Sequence, residues 1–146
     1  MTVALGVEAV ARKVAETFPV TTITTDRDAL IVPPESLLQV AQYLKDTPGF
    51  DFGYLTCLTA VDYTDYFEVV YHLTSLKHNH SLVLKTRCYD REKPTVPSVV
   101  SLWQGADLQE REAYDLMGIV FSGHPNLKRL FLWEGFPGYP LRRDYL

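Results

Sequence analysis

Two stretches of alternation constrain this chain's fold more than any other feature. Phe67, Val69, Tyr71 and Leu73 interleave with Glu68, Val70, His72 and Thr74. After a loop at Lys77–His80, Leu82, Leu84 and Cys88 interleave with Val83, Lys85 and Arg87. A period of two places one set on each face of an extended chain. The pair therefore predicts an antiparallel hairpin with one face inward. Just upstream, Tyr54–Val61 is apolar on both alternating sets: Leu55, Cys57 and Val61 against Tyr54, Leu58 and Ala60. That pattern predicts a strand covered on both faces.

Helical periods flank this β core. Met1 to Ala15 reads as an amphipathic helix, with Val3, Val7, Val10, Val14 and Phe18 marking one face and Pro19 ending it. Two short extended segments follow, Thr21–Thr24 and Ala29–Val32, separated by the turn Asp26-Arg27-Asp28. Pro33-Pro34 opens a second helix with Leu37, Ala41 and Leu44 as its stripe, and Pro48-Gly49 closes it. Val96–Trp103 reads as helical up to Gly105. A last helix is expected from Asp107, an N-cap with Glu110 three residues on, to the stop at Gly118. The fold class predicted is α+β: a single domain with a mixed sheet of four to five strands and helices on one face. Residues 1–118 form its body and 119–146 an extended C-terminal arm. The arm has no periodicity, yet carries Phe121, Phe131, Trp133, Phe136 and Tyr139, so it is expected to pack on the body or on a partner.

Charge and length exclude some functions. The 146 residues carry a net charge of −4 without a run of Lys and Arg, which argues against a nucleic-acid binder. No apolar stretch approaches the roughly 20 residues that span a bilayer, and the N-terminal segment does not read as a signal peptide. Cys57 and Cys88, far apart in sequence, are expected as buried thiols of a reducing cytoplasm. A disulfide between them requires their strands to be neighbours.

Chemistry concentrates between Glu110 and Leu130. On a helix Arg111 and Asp115 lie one turn apart and can pair. Leu108, Glu112 and Leu116 share a face, which puts a carboxylate in an apolar stripe where a cation or several donors must meet it, unless Glu112 lies at the helix edge in water. Arg142 and Arg143 are the candidates by type, if the arm folds back. Glu110, Glu112 and Asp115 point in different directions around a helix, so no two of them form an acid–base pair. Gly123-His124-Pro125 reads as a turn whose histidine bonds the backbone. His78-Asn79-His80 falls in the hairpin loop. A Gly-rich phosphate loop, a serine elbow and a Cys-x-x-Cys pair are all missing. A small hydrolase built on His124 and the nearby carboxylates is the competing class.

The run Glu110-Arg111-Glu112, Asp115 and Gly118, followed by Gly123-His124-Pro125 and then Leu127 and Arg129, resembles the signature of the respiratory-chain NADH dehydrogenase 30 kDa subunit, the C-type member of complex I-like assemblies. The ending Gly138-Tyr139-Pro140-Leu141-Arg142-Arg143-Asp144-Tyr145 is similar to the family's tail, departing at Tyr139, where the family has His, and at Arg143, where it has Lys. The resemblance implies a non-catalytic subunit of the peripheral arm, on the cytoplasmic face of the membrane, within a proton-translocating NADH:quinone oxidoreductase. It implies no cofactor or metal on this chain, with flavin and iron–sulfur clusters on other subunits. The partners implied are the 49 kDa-like (D) subunit near the quinone site and the cluster-bearing B- and I-type subunits. Glu110, Arg111, Glu112, Asp115, Gly118, Gly123, His124, Pro125, Arg129, Pro140, Leu141, Arg142, Arg143 and Asp144 are then interface and tail-anchoring residues. Related energy-converting hydrogenases and ferredoxin- or deazaflavin-linked dehydrogenases use an equivalent subunit, so the parent complex has alternatives.

Overall fold

The computed structural model describes residues 3–133 and 135–143. The expected hairpin is its centre. β5 (Phe67–Ser75) pairs antiparallel with β6 (His80–Cys88), Phe67 opposite Cys88 and Tyr71 opposite Leu84. On one side β4 (Tyr54–Asp62) pairs antiparallel with β5. On the other, β3 (Ala29–Val32) runs parallel to β6 and carries the antiparallel edge strand β2 (Thr24–Asp26). β1 (Val3–Ala4) also runs parallel to β6, opposite His80 and Ser81, so β1 and β3 lie end to end along it. The result is a mixed sheet of six strands, against the four to five expected. The additional strand is β1, cut from a segment read as helical throughout.

One face of this sheet is the core. Leu30, Val32, Leu55, Leu58, Phe67, Val69, Tyr71, Leu73, Leu82 and Leu84 meet three helices there. α1 (Val7–Thr17) contributes Val7, Val10 and Val14, and α2 (Pro34–Asp46) contributes Leu37, Val40, Ala41 and Leu44. Each large aliphatic side chain so buried adds about 1.5–3 kcal/mol of driving force. Pro33 stands as the α2 N-cap and Pro34 inside the first turn, where a missing N–H leaves no intrahelical bond unmade.

Three sequence expectations change here. Tyr54–Val61 is not covered on both faces: it forms an edge strand with Tyr54 and Thr59 exposed and Leu55 and Leu58 buried. A register shift between Leu55 and Cys57 inserts Thr56 as an extra residue, which swaps the inward set from odd to even numbers. That parity change makes the segment look apolar on both sets. Val96–Trp103 is not a helix. It holds β7 (Thr95–Pro97), paired parallel with β8 (Val120–Ser122), and then a turn closed by the Leu102 and Trp103 N–H groups on the Val99 carbonyl. Trp103 is held instead by its indole N–H, which donates to the Phe52 carbonyl at 3.0 Å. Cys57 is half-buried and Cys88 buried; both are free, and β5 separates their strands.

α3 (Ala106–Met117) lies against β4 and turns Ala106, Glu110, Ala113 and Met117 inward. Its N-cap is Gly105 with no side-chain cap bond, two residues before the Asp107 expected. Gly118 ends it at φ 77°, a left-handed conformation that other residues adopt at a strain of about 1 kcal/mol or more. A Cβ at Gly118 would also meet Arg142 Nη2 and the Tyr139 ring at 2.7 Å. Gly118→Ala is therefore expected to lower stability by about 2–3 kcal/mol, combining backbone strain with displacement of the arm. Thermal unfolding checks this; an unchanged midpoint would contradict the close packing of arm on helix.

Candidate functional site

The residues of the 110–143 region gather around α3, because three carboxylates there are buried and each must find donors. Glu110 is fully buried. The Ser98 hydroxyl donates to its Oε1 at 2.6 Å and the Val99 N–H to its Oε2 at 2.9 Å. Burial pushes its pKa up, and these bonds together with His124 oppose the rise. The carboxylate that was to cap the helix thus ties α3 to the turn after β7, and no capping box forms.

Asp115 is fully buried on the next part of the helix. Its Oδ2 accepts three successive backbone N–H groups, from Leu130, Phe131 and Leu132, at 3.1, 2.6 and 3.1 Å. Arg129 stands 3.5 Å from Oδ1 and donates to the Gly138 carbonyl at 3.0 Å. The helical pairing of Arg111 with Asp115 is not made. Arg111 reaches across to the carbonyls of Lys128 and Arg129, at 3.2 and 3.3 Å. One residue of α3 thus holds the arm by its carbonyls and the other by its amides.

The third carboxylate, Asp62 at the end of β4, escaped the sequence reading. Arg91 donates to both its oxygens, at 2.7 and 3.0 Å, and the Arg143 N–H donates to Oδ2 at 2.8 Å. The Thr64 N–H donates to Oδ1. The Arg91 bond holds this carboxyl far below the usual range, burial opposes it, and the two backbone bonds add to the lowering. An aspartate on the inward set of a strand, just past an apolar run, was the available signal.

The expectation that Glu112 takes Arg142 or Arg143 fails. Glu112 is exposed, and Leu108 beside it is 56% exposed. The inward positions of α3 are 106, 110, 113 and 117, and 112 lies off that stripe. The arm does fold back, but onto Asp62 and the end of α3. Leu141 N–H donates to the Leu116 carbonyl, and Arg142 Nε to the Met117 carbonyl at 2.6 Å. The Arg142 guanidinium lies over Phe67 and Tyr139, at 5.0 and 4.9 Å from the ring centroids. Pro140 is half-buried beside these contacts, and Asp144 lies outside the described residues.

His124 sits in the turn expected of it, after Gly123 at φ 82° and before exposed Pro125. Its side chain is nevertheless wholly buried. Nδ1 accepts the Asn126 N–H at 2.9 Å, which leaves the proton on Nε2, 3.3 Å from the Asp107 carbonyl and 2.9 Å from its carboxylate. Both ring nitrogens are thereby engaged within the chain, so the geometry offers a hydrolase no free base at this residue. Among the described residues no group of three or more His, Cys, Asp or Glu side chains is placed to hold a metal ion. No helix among them is long and apolar enough to cross a membrane.

These anchors use the positions of the Glu110–Arg129 motif, and the wider sequence agrees with it. The model of the family "Respiratory-chain NADH dehydrogenase, 30 Kd subunit" matches residues 30–146. The chain belongs to this family. It is 43% identical over 120 residues to the second C-type subunit of the NADH-quinone oxidoreductase of Rhizobium meliloti (strain 1021), covering 80% of this chain and 65% of that protein. It is 47% identical over 122 residues to the C-type subunit of the NADH-quinone oxidoreductase of Moorella thermoacetica, covering 82% and 80%. The chain therefore spans just under two thirds of the length of the Rhizobium relative. Its fold is similar to that of a chain in the membrane-bound sulfane sulfur reductase, an archaeal respiratory membrane complex. That likeness has a TM-score of 0.70 at 23% identity and covers 94% of this chain and 84% of the other.

The Asp62 site gives a pH dependence. A carboxyl whose pKa is lowered by folding adds stability above its unfolded value of about 3.9, and that stability is lost as pH falls through the lower folded value. The denaturation midpoint is therefore expected to drop steeply below about pH 4. Asp62→Asn is expected to cost roughly 3 kcal/mol at neutral pH by removing the buried charge that Arg91 and the Thr64 and Arg143 amides meet, and to flatten the acid limb. Denaturant melts at a series of pH values check this; parallel acid limbs in both proteins would contradict the assignment.

Proposed function

We propose that this chain is a non-catalytic docking subunit of the peripheral arm of a proton-translocating NADH:quinone oxidoreductase. Its α3–arm surface binds the 49 kDa-like (D) subunit near the quinone module, beside the cluster-bearing B- and I-type subunits. In this reading the flavin and iron–sulfur clusters belong to those partners, and this chain carries no cofactor. The assembly holds it at the cytoplasmic face of the membrane.

One observation supports this reading above the others. The arm is fixed to the body by buried carboxylates, yet it turns large aromatics outward: Phe131 is 66% and Trp133 65% exposed. Folding energy goes into ordering a segment whose apolar groups the chain itself leaves in water. An ordered segment with exposed aromatics is what a protein interface requires, because it binds without a further ordering cost. The family membership supports a partner within a respiratory complex. The sites argue against independent catalysis, since Glu110, Asp115 and His124 are each engaged by the chain's own groups.

The test is purification of the tagged full chain from mild-detergent membranes, beside the double variant Phe131→Ala/Trp133→Ala. The wild type is expected to bring the D-, B- and I-type subunits and a flavin-bearing module. The double variant should keep its thermal midpoint and recover at least tenfold less of them. Recovery of a nickel-bearing large subunit without the flavin module would move the chain to the hydrogenase branch. A wild-type chain that purifies alone would overturn the proposal.

A further inference from the structure

β4 is an edge strand whose outer side is only partly satisfied. Successive residues of an antiparallel strand turn their N–H and C=O groups to opposite sides. Thr59, Val61 and Tyr63 turn theirs toward β5, where the Tyr63 N–H donates to the Tyr66 carbonyl at 2.9 Å. Leu58 and Ala60 therefore turn theirs outward. The Leu58 N–H donates there to Gln109 Oε1 of α3, at 2.6 Å. The Leu58 carbonyl and both backbone groups of Ala60 make no hydrogen bond among the described residues. Between this edge, α3 and the returning arm lies a cavity of about 380 Å³. Its far wall is apolar, built from Ala113, Leu116, Met117 and the 54% exposed Leu141.

Glu112 is the one charged residue that lines this cavity. Its neighbours on α3 are spent within the chain: Glu110 on Ser98 and Val99, Arg111 on two arm carbonyls, Asp115 on three arm amides. Arg142 goes to the Met117 carbonyl, and Arg143 gives its N–H to Asp62. Exposed Glu112 makes no hydrogen bond or ion pair among the described residues.

We infer that this groove takes an extended segment of the partner subunit, which pairs with the edge of β4, sets an apolar side chain against Leu116 and Met117 and brings a Lys or Arg to Glu112. The inference rests on the docking reading above and names the partner element and its chemistry. Main-chain groups left free along an edge strand supply the affinity of an added strand, and the pocket beside them supplies its selectivity. Charge complementarity selects the occupant. A lone carboxylate among apolar groups favours a basic side chain, which forms a charge-assisted bond there. A second copy paired edge to edge would bring its own Glu112 to the same groove, and like charges would oppose it.

The test uses the full chain, isolated and in its assembled complex. Glu112→Lys and Glu112→Gln are expected to keep the thermal midpoint, since the side chain bonds nothing in the chain. Recovery of the partner subunits should fall at least tenfold for Glu112→Lys and by less for Glu112→Gln. The Ala60 amide should exchange freely in the isolated chain and at least a hundredfold more slowly in the complex. Full recovery by Glu112→Lys, while Phe131→Ala/Trp133→Ala still loses the partner, would overturn this inference and leave the docking reading standing. An Ala60 amide that exchanges equally fast in the complex would do the same. Concentration-dependent dimers of the isolated chain that protect Ala60 would give the groove to a second copy, which also overturns it. A wild type that recovers no subunits would overturn both readings together.

Discussion

A carboxylate removed from water must be met by donors, and Asp115 is met by the backbone of the arm. Three consecutive amides on one oxygen fix residues 130–132 as a tight loop over α3, with Arg129 against the other oxygen. The opposite arrangement would leave an unpaired buried charge costing several kcal/mol. The rest of the arm follows from this anchor. Arg129 reaches Gly138, the chain turns at Gly138, and Leu141 to Arg143 return to the ends of α3 and β4. Regular secondary structure contributes little here; side chains and orphan backbone groups satisfy one another.

The same logic joins the arm to the core. Asp62 belongs to the inward face of the sheet, and the Arg143 N–H and Arg91 guanidinium close over it. Glu110 belongs to α3 but binds the turn that follows β7. Glu110 and Asp115 of the signature, together with Asp62 outside it, thus form a wiring of three carboxylates that shapes one surface. That surface is left with exposed aromatics, which connects the packing to the proposed role of the chain as a docking subunit.

Much of the fold was legible because period-two alternation survives in β5 and β6 and helical spacing survives in α1 and α2. Where legibility failed, a local event broke the period. The Thr56 bulge swapped the parity of β4, and β1 was absorbed into the reading of α1 because Val3 falls on the same helical phase as Val7 and Val10. The motif itself identified the residues that matter around α3, but not their partners. Glu112 looked buried because leucines flank it four residues away on each side, yet α3 packs through another stripe. Asp62, Arg91 and Ser98 lie 48, 19 and 12 residues before Glu110, a separation across which no local pattern speaks.

The arm is fixed on the body before any partner arrives, and on this the proposed role depends. Amide hydrogen exchange on the isolated full chain tests it directly. The Leu130, Phe131 and Leu132 amides are expected to exchange slowly, with protection comparable to the α3 amides, and to lose it in Asp115→Asn while β5 and β6 stay protected. Free exchange of those three amides in the wild-type chain, with protection gained only on assembly, would contradict it: the partner, and not Asp115, would then be what orders the arm.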